Sequence, residues 1–160
     1  MQGAIYVYNA DAVVNIENVV ISNVTAPTRG VINTVGTVNI KGSKILDNKI
    51  SQFSESMTGH LIYIGDKGKV TIEQTEISDN TIADELFNNY KSTSNLKVNN
   101  CNIQDNSAKA TVNSLGTIDL EANYWGSNDL PSDVTASTWI VNNNGVYEYH
   151  NGDALDVTIT

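Results

Sequence analysis

One motif, written five times, restricts what this chain can fold into more than its composition does. Its clearest copy is residues 70–82, Val-Thr-Ile-Glu-Gln-Thr-Glu-Ile-Ser-Asp-Asn-Thr-Ile. The apolar triplet within it recurs with unchanged spacing as Val14, Ile16, Ile21; Val38, Ile40, Ile45; Val70, Ile72, Ile77; Leu96, Val98, Ile103; and Ile118, Leu120, Trp125. Asn48, Asn80, Asn106 and Asn128 follow the triplet in four copies, whereas the first copy has Val24 there. A small residue, Ala12, Gly36, Gly68, Ser94 or Gly116, stands just before each triplet.

The copies begin 24, 32, 26 and 22 residues apart, which is a solenoid period. β-Branched residues at alternate positions after a Gly or Ser read as a strand leaving a turn. Two short strands around a four-residue corner, with a variable third segment, describe one triangular coil. Coils stacked about 4.7–4.9 Å apart share a core and pair their backbone groups with the rungs above and below. The expectation is an all-β, right-handed parallel β-helix of about five coils over residues 1–131, roughly 20–25 Å long. In residues 132–160 the pattern changes. Asn144-Gly145 and Asn151-Gly152 separate the apolar runs 139–141, 146–149 and 155–159, predicting a small antiparallel meander that caps the rod or begins another module.

Third sides are read at residues 5–8, 31–35, 61–64 and 111–117, while 51–58 and 83–89 read as exposed polar excursions able to form short helices. The fourth coil then offers only Tyr90 to the core. Trp125 replaces Ile in its column at the last rung, where a solenoid needs an atypical cap over apolar core and open strand edge.

Charge narrows the partners. Eighteen acids against nine bases give a net charge of −9, and Arg29 is the single arginine, so nucleic acid is excluded as a natural partner. The lone Cys101 excludes an intrachain disulfide framework and reads as a small corner residue. No secretory leader opens the sequence, and no run reaches the ~18 apolar residues of a membrane span. The chain reads as a monomeric piece of a longer protein, itself making no membrane contact.

The coils ending in Ala-Asn-Tyr-Trp-Gly-Ser-Asn at residues 122–128 resemble the β-helix region of adhesin-like surface proteins of methanogenic archaea. More distantly they resemble polymorphic outer-membrane autotransporter adhesins. The resemblance covers residues 3–131 and implies a secreted protein holding cells to surface glycans or proteins of neighbouring cells. It carries no catalytic motif.

Individual columns invite functional readings. Asn48, Asn80, Asn106 and Asn128 read as an internal amide ladder, with glycan binding as the minor reading. Asp47, Asp79 and Asp105 stack as like charges, which makes them weak candidates for Ca2+, although solvated turn carboxylates are favoured. Glu17, Lys41, Glu73, Asn99 and Glu121 read as ordinary cross-rung pairing. His60 and His150 read as surface residues, and Asn23-Val24-Thr25 matches a glycosylation acceptor. Two functions remain: a non-enzymatic adhesin segment, and a β-helix lyase or hydrolase acting on polysaccharide. The second needs clustered carboxylates with cations beside a deep cleft, and the first is preferred.

Overall fold

The structure, a computed structural model, describes residues 3–152. Strands β1 (Ile5–Val7), β2 (Val13–Glu17), β3 (Val20–Ser22) and β4 (Thr25–Ala26) form the first coil. The second contains β5 (Ile32–Thr34), β6 (Thr37–Lys41), β7 (Lys44–Leu46) and β8 (Lys49–Ile50). The third contains β9 (Ile62–Ile64), β10 (Lys69–Glu73), β11 (Glu76–Ser78) and β12 (Thr81–Ile82). Then come β13 (Glu85–Asn89), β14 (Asn95–Asn99) and β15 (Asn102–Gln104), followed by β16 (Ala110–Ser114) and β17 (Thr117–Asp119). Like strands pair in parallel to give four faces, A to D in chain order, with five, five, four and three strands. This is an all-β parallel solenoid of about four turns whose fifth coil is incomplete.

The expected registers form. Val14, Val38, Val70, Leu96 and Ile118 stack on face B, and Ile21, Ile45, Ile77 and Ile103 stack on face C. The middle rungs are sealed from solvent, whereas Ile118 on the last rung is 38% exposed. The small residue before each triplet is set by close approach. A Cβ added to Gly116 would lie 2.2 Å from the Ser94 carbonyl oxygen, and one on Gly68 would lie 2.8 Å from that of Thr34.

Four strand segments in each of the first three coils, rather than three sides, follow from two left-handed corners. Asn18, Gly42, Gln74, Asn100 and Ala122 (φ between 49° and 60°) turn face B into face C, and Asn23, Asp47, Asp79 and Asp105 (φ 55–58°) turn C into D. Asn, Asp and Gly tolerate this conformation best. Beyond the second corner, Ala26, Ile50 and Ile82 form an additional buried column on face D. Each corner leaves the next backbone N–H aimed along the rod, where a side-chain oxygen of the following coil accepts it. Val24 N–H donates to Asn48 Oδ1 (2.9 Å), Asn48 N–H to Asn80 Oδ1 (3.1 Å) and Asn80 N–H to Asn106 Oδ1 (3.1 Å). The amide nitrogens of Asn48 and Asn80 reach the same Oδ1 atoms at 2.9 Å. At the other corner Ser43 Oγ accepts from Val19 N–H, Thr75 Oγ1 from Ser43 N–H, and Asn123 Oδ1 from Cys101 N–H.

Asn128 does not extend the first ladder. It is exposed, and its amide instead bonds both backbone groups of Asn142 (2.7 and 3.1 Å). Asn142 lies in β18 (Thr138–Asn143), which forms an antiparallel hairpin with β19 (Val146–Asn151) across Asn144-Gly145. Both turn residues have positive φ, 54° and 91°, as a type I′ hairpin turn requires. Tyr124 bridges Asn102 on one side and Ile140 on the other, so β18 forms one more rung of face C. The third run of the meander, 155–159, lies outside the described residues.

Two further expectations are corrected. Residues 83–89 are not an exposed excursion or a helix: they hold β13, the face A strand of the fourth coil, with Phe87 fully buried in the core and Asn88 and Asn89 buried too. Tyr90, expected to serve that core, is 45% exposed. Residues 51–58 are an exposed excursion as expected, but a tight turn closed by Phe53 N–H to Met57 O (3.2 Å), not a helix.

Candidate functional site: a cleft on face A

Register on face A lines up Tyr6, Asn33, Tyr63, Asn88 and Asn113 as one row along the rod. Beside it the turn 51–58 stands over the sheet and walls a cleft of about 450 Å3, lined among others by Arg29, Met57, His60, Tyr63, Glu85 and Asn88. The floor is aromatic. His60, Tyr63 and Tyr90 lie near-parallel, with centroids 5.7 and 5.9 Å apart and planes 28° and 27° apart. The spacing is that of offset rings. A cation sits on each tyrosine: the Arg29 guanidinium lies 5.7 Å from the Tyr63 centroid and Lys91 Nζ 4.5 Å from that of Tyr90. The backbone of Arg29 is left-handed (φ 63°) and clamped to its neighbour coil, its N–H donating to Thr58 O (2.8 Å) and its carbonyl accepting from His60 N–H.

His60, expected at the surface, is 1% exposed. Its Nε2 lies 2.8 Å from Thr58 Oγ1, and its Nδ1 lies 2.8 Å from Glu85 Oε2 in a short contact that is off-line for a hydrogen bond. Burial pushes the imidazole below its usual range, against the opposing pull of Glu85 and Asp84. Asp84 takes Gly59 N–H (2.8 Å) and Lys109 Nζ (2.7 Å), and these with His60 hold its carboxyl below the usual range although burial raises it. Burial lifts the Tyr63 hydroxyl, partly offset by Arg29. Asn88 is 5% exposed, its Nδ2 reaching Glu85 Oε2 at 3.4 Å while its Oδ1 has no partner.

The residues singled out from sequence lie elsewhere. Asp47, Asp79 and Asp105 are exposed left-handed residues at the corner between faces C and D, outside the cleft lining, and among the described residues no cluster of three metal-ligating side chains occurs. Glu17, Lys41 and Glu73 are neighbours in register, yet Lys41 forms no ion pair within 4 Å among the described residues; a cross-rung bridge forms instead between Lys44 and Glu76 at 2.9 Å. Asn99 bonds Asp119 Oδ1 and Glu121 O, and Glu121 takes Ser137 and Thr138 N–H of the hairpin segment. His150 packs on Trp139 at 4.3 Å. Trp125 is 9% exposed and belongs to the core.

Cys101 is buried in the corner column, and burial pushes its thiol from 9.0 up to about 11. A raised pKa favours the folded protonated form, so this stabilisation is complete below pH 9 and is lost as pH rises from 9.0 towards about 11. Thiol titration with an aromatic disulfide at pH 8 should find Cys101 inert in the native chain and reactive in denaturant. Rapid native reaction would overturn its placement.

Sequence alone could not assemble the cleft, whose residues come from four coils. One signal was available: Tyr63 alternates out between the buried Ile62 and Ile64. No helix among the described residues is long and apolar enough to cross a membrane. Comparison of the chain with family models, with curated proteins and with solved structures finds no match in any of the three.

Proposed function

We propose that this chain is a non-enzymatic segment of a cell-surface adhesin, a stiff β-solenoid that presents the face A cleft to surface glycans. The observation carrying this reading is the cleft floor: offset tyrosine rings framed by amides and cations, on a scaffold whose backbone is bonded rung to rung. Aromatic faces pack against the apolar face of a sugar ring, and buried amides and carboxylates fix its hydroxyls. The Asn-Tyr-Trp-Gly ending of the repeats supports kinship with the adhesin-like proteins of methanogenic archaea, and with it an extracellular setting.

A second reading, a carbohydrate-active hydrolase, is favoured by one feature. Thr58, His60 and Glu85 form a hydroxyl–imidazole–carboxylate chain. Against it, the Glu85 contact is off-line and the imidazole is closed off from solvent. The test is a glycan array paired with reducing-sugar and ester-release assays on one sample. Binding without turnover is expected; release of reducing ends or acid, abolished by His60→Gln, would replace the adhesin reading with the enzyme.

A further inference from the structure

Resting on the glycan-binding reading, we infer that the cleft selects an acidic saccharide, one whose carboxylate or sulfate seats on Arg29 while its hydroxyls face Glu85 and Asn88. Arg29 is the only arginine in a chain with twice as many acids as bases, yet among the described residues it makes no ion pair within 4 Å. Its guanidinium lies on the cleft wall against Tyr63 instead, with its planar donors unspent. That fork suits a carboxylate or sulfate better than any neutral hydroxyl.

The opposite end of the cleft has the reverse polarity. Asn88 Oδ1 is an unpartnered acceptor on a 5% exposed residue, and leaving such an atom buried and unpaired is costly unless a ligand donates to it. Glu85, with a side chain 20% exposed, offers a second acceptor beside it. Arg29 belongs to the second coil and Glu85 and Asn88 to the fourth, so about 9–10 Å of rod separates donor end from acceptor end. A sugar acid with free hydroxyls has the matching polarity, anion at one end and donors at the other. Lys91 rests on the exposed Tyr90 and lies outside the cleft lining. The remaining acids do not decide the matter, because charges beyond the screening length of about 8 Å at physiological salt are largely masked.

Isothermal titration and amide chemical-shift mapping on the whole chain test this with a matched set: oligouronates, the same oligomers with carboxylates reduced to primary alcohols, and sulfated oligosaccharides. The oligouronate or the sulfated oligomer should bind, shifting the Tyr63 and Asn88 amides, and the reduced oligomer should bind at least about tenfold more weakly, the scale of one charge-assisted hydrogen bond. Arg29→Gln should erase that preference, bringing the acidic oligomers down to the affinity of the reduced one; Tyr90→Ala, at an exposed site, should weaken every ligand alike. Equal affinity for acidic and reduced oligomers, or indifference to Arg29→Gln, overturns the acidic selectivity and leaves glycan binding standing. No shift at Tyr63 or Asn88 with any saccharide overturns both.

Discussion

Trp125→Ala is expected to cost about 3–5 kcal/mol in chemical unfolding, the range for removing a large buried ring, and to make the chain associate. The ring occupies the column of Ile21, Ile45, Ile77 and Ile103 on the fifth rung, which β18 covers on face C, and Tyr124 O accepts from Ile103 N–H (2.8 Å) to fix that register. A cavity of about 180 Å3 bounded by Ile103, Leu86 and Pro131 already adjoins it. Removing the indole would open this space to the end of the core. Exposed apolar core beside a strand edge is a template for pairing, so light scattering should rise with the loss of stability. Trp139 is the control. It is half-buried, lies against His150 and donates Nε1–H to Asn128 O (2.9 Å), so Trp139→Ala should cost less and leave the core closed. A Trp125→Ala chain as stable and monomeric as its parent would make the indole a surface group rather than a seal.

Asn80→Ala should be the most damaging change in the ladder, by about 3 kcal/mol, the upper end for a buried group left unpaired. Asn80 Oδ1 takes both the N–H and the Nδ2 of Asn48, and its own Nδ2 donates to Ile45 O and Ser78 O, each at 2.9 Å. Alanine strands all of these where water does not reach. The coil before Asn80 loses both the acceptor of Asn48 and the donor to Ile45 O, while on the other side the Asn80 N–H keeps Asn106 Oδ1. Asn128→Ala is the comparison, since that side chain is exposed and serves only the hairpin. Equal denaturant midpoints for the two would contradict a buried ladder. Asn88, which sequence placed in an exposed excursion, no longer serves as a control, because it is buried in β13.

Faces B and C were legible because their triplets keep strict spacing and their inward positions are β-branched. Face A of the fourth coil was not. Asp84, Glu85, Asn88 and Asn89 make residues 83–89 look like a solvated loop, but their polar atoms are largely met by other coils: Asp84 by Gly59 and Lys109, Asn89 by Ser114 and Thr117. The spacing held the clue. Only the 32-residue interval has room for an excursion, whereas the 26-residue interval between the third and fourth copies has room for little more than a coil. The regularity of the Asp column matches a left-handed backbone at the corner between faces C and D, φ 55–57° at Asp47, Asp79 and Asp105. The cleft stayed hidden because nothing local ties Arg29 to Tyr63 or to Glu85; only stacking brings them together.

The direction of the ladder bonds also governs how such a rod bears load. Bonds between coils run along its length, so tension applied between its two ends pulls them straight apart instead of shearing a strand pair. Rungs then part in sequence rather than all at once. Each coil of 22–32 residues contributes about 4.8 Å to the folded rod but roughly 70–110 Å as extended chain. A tether built this way converts a sudden tug into stepwise lengthening, with the terminal coils yielding before those bonded on both sides.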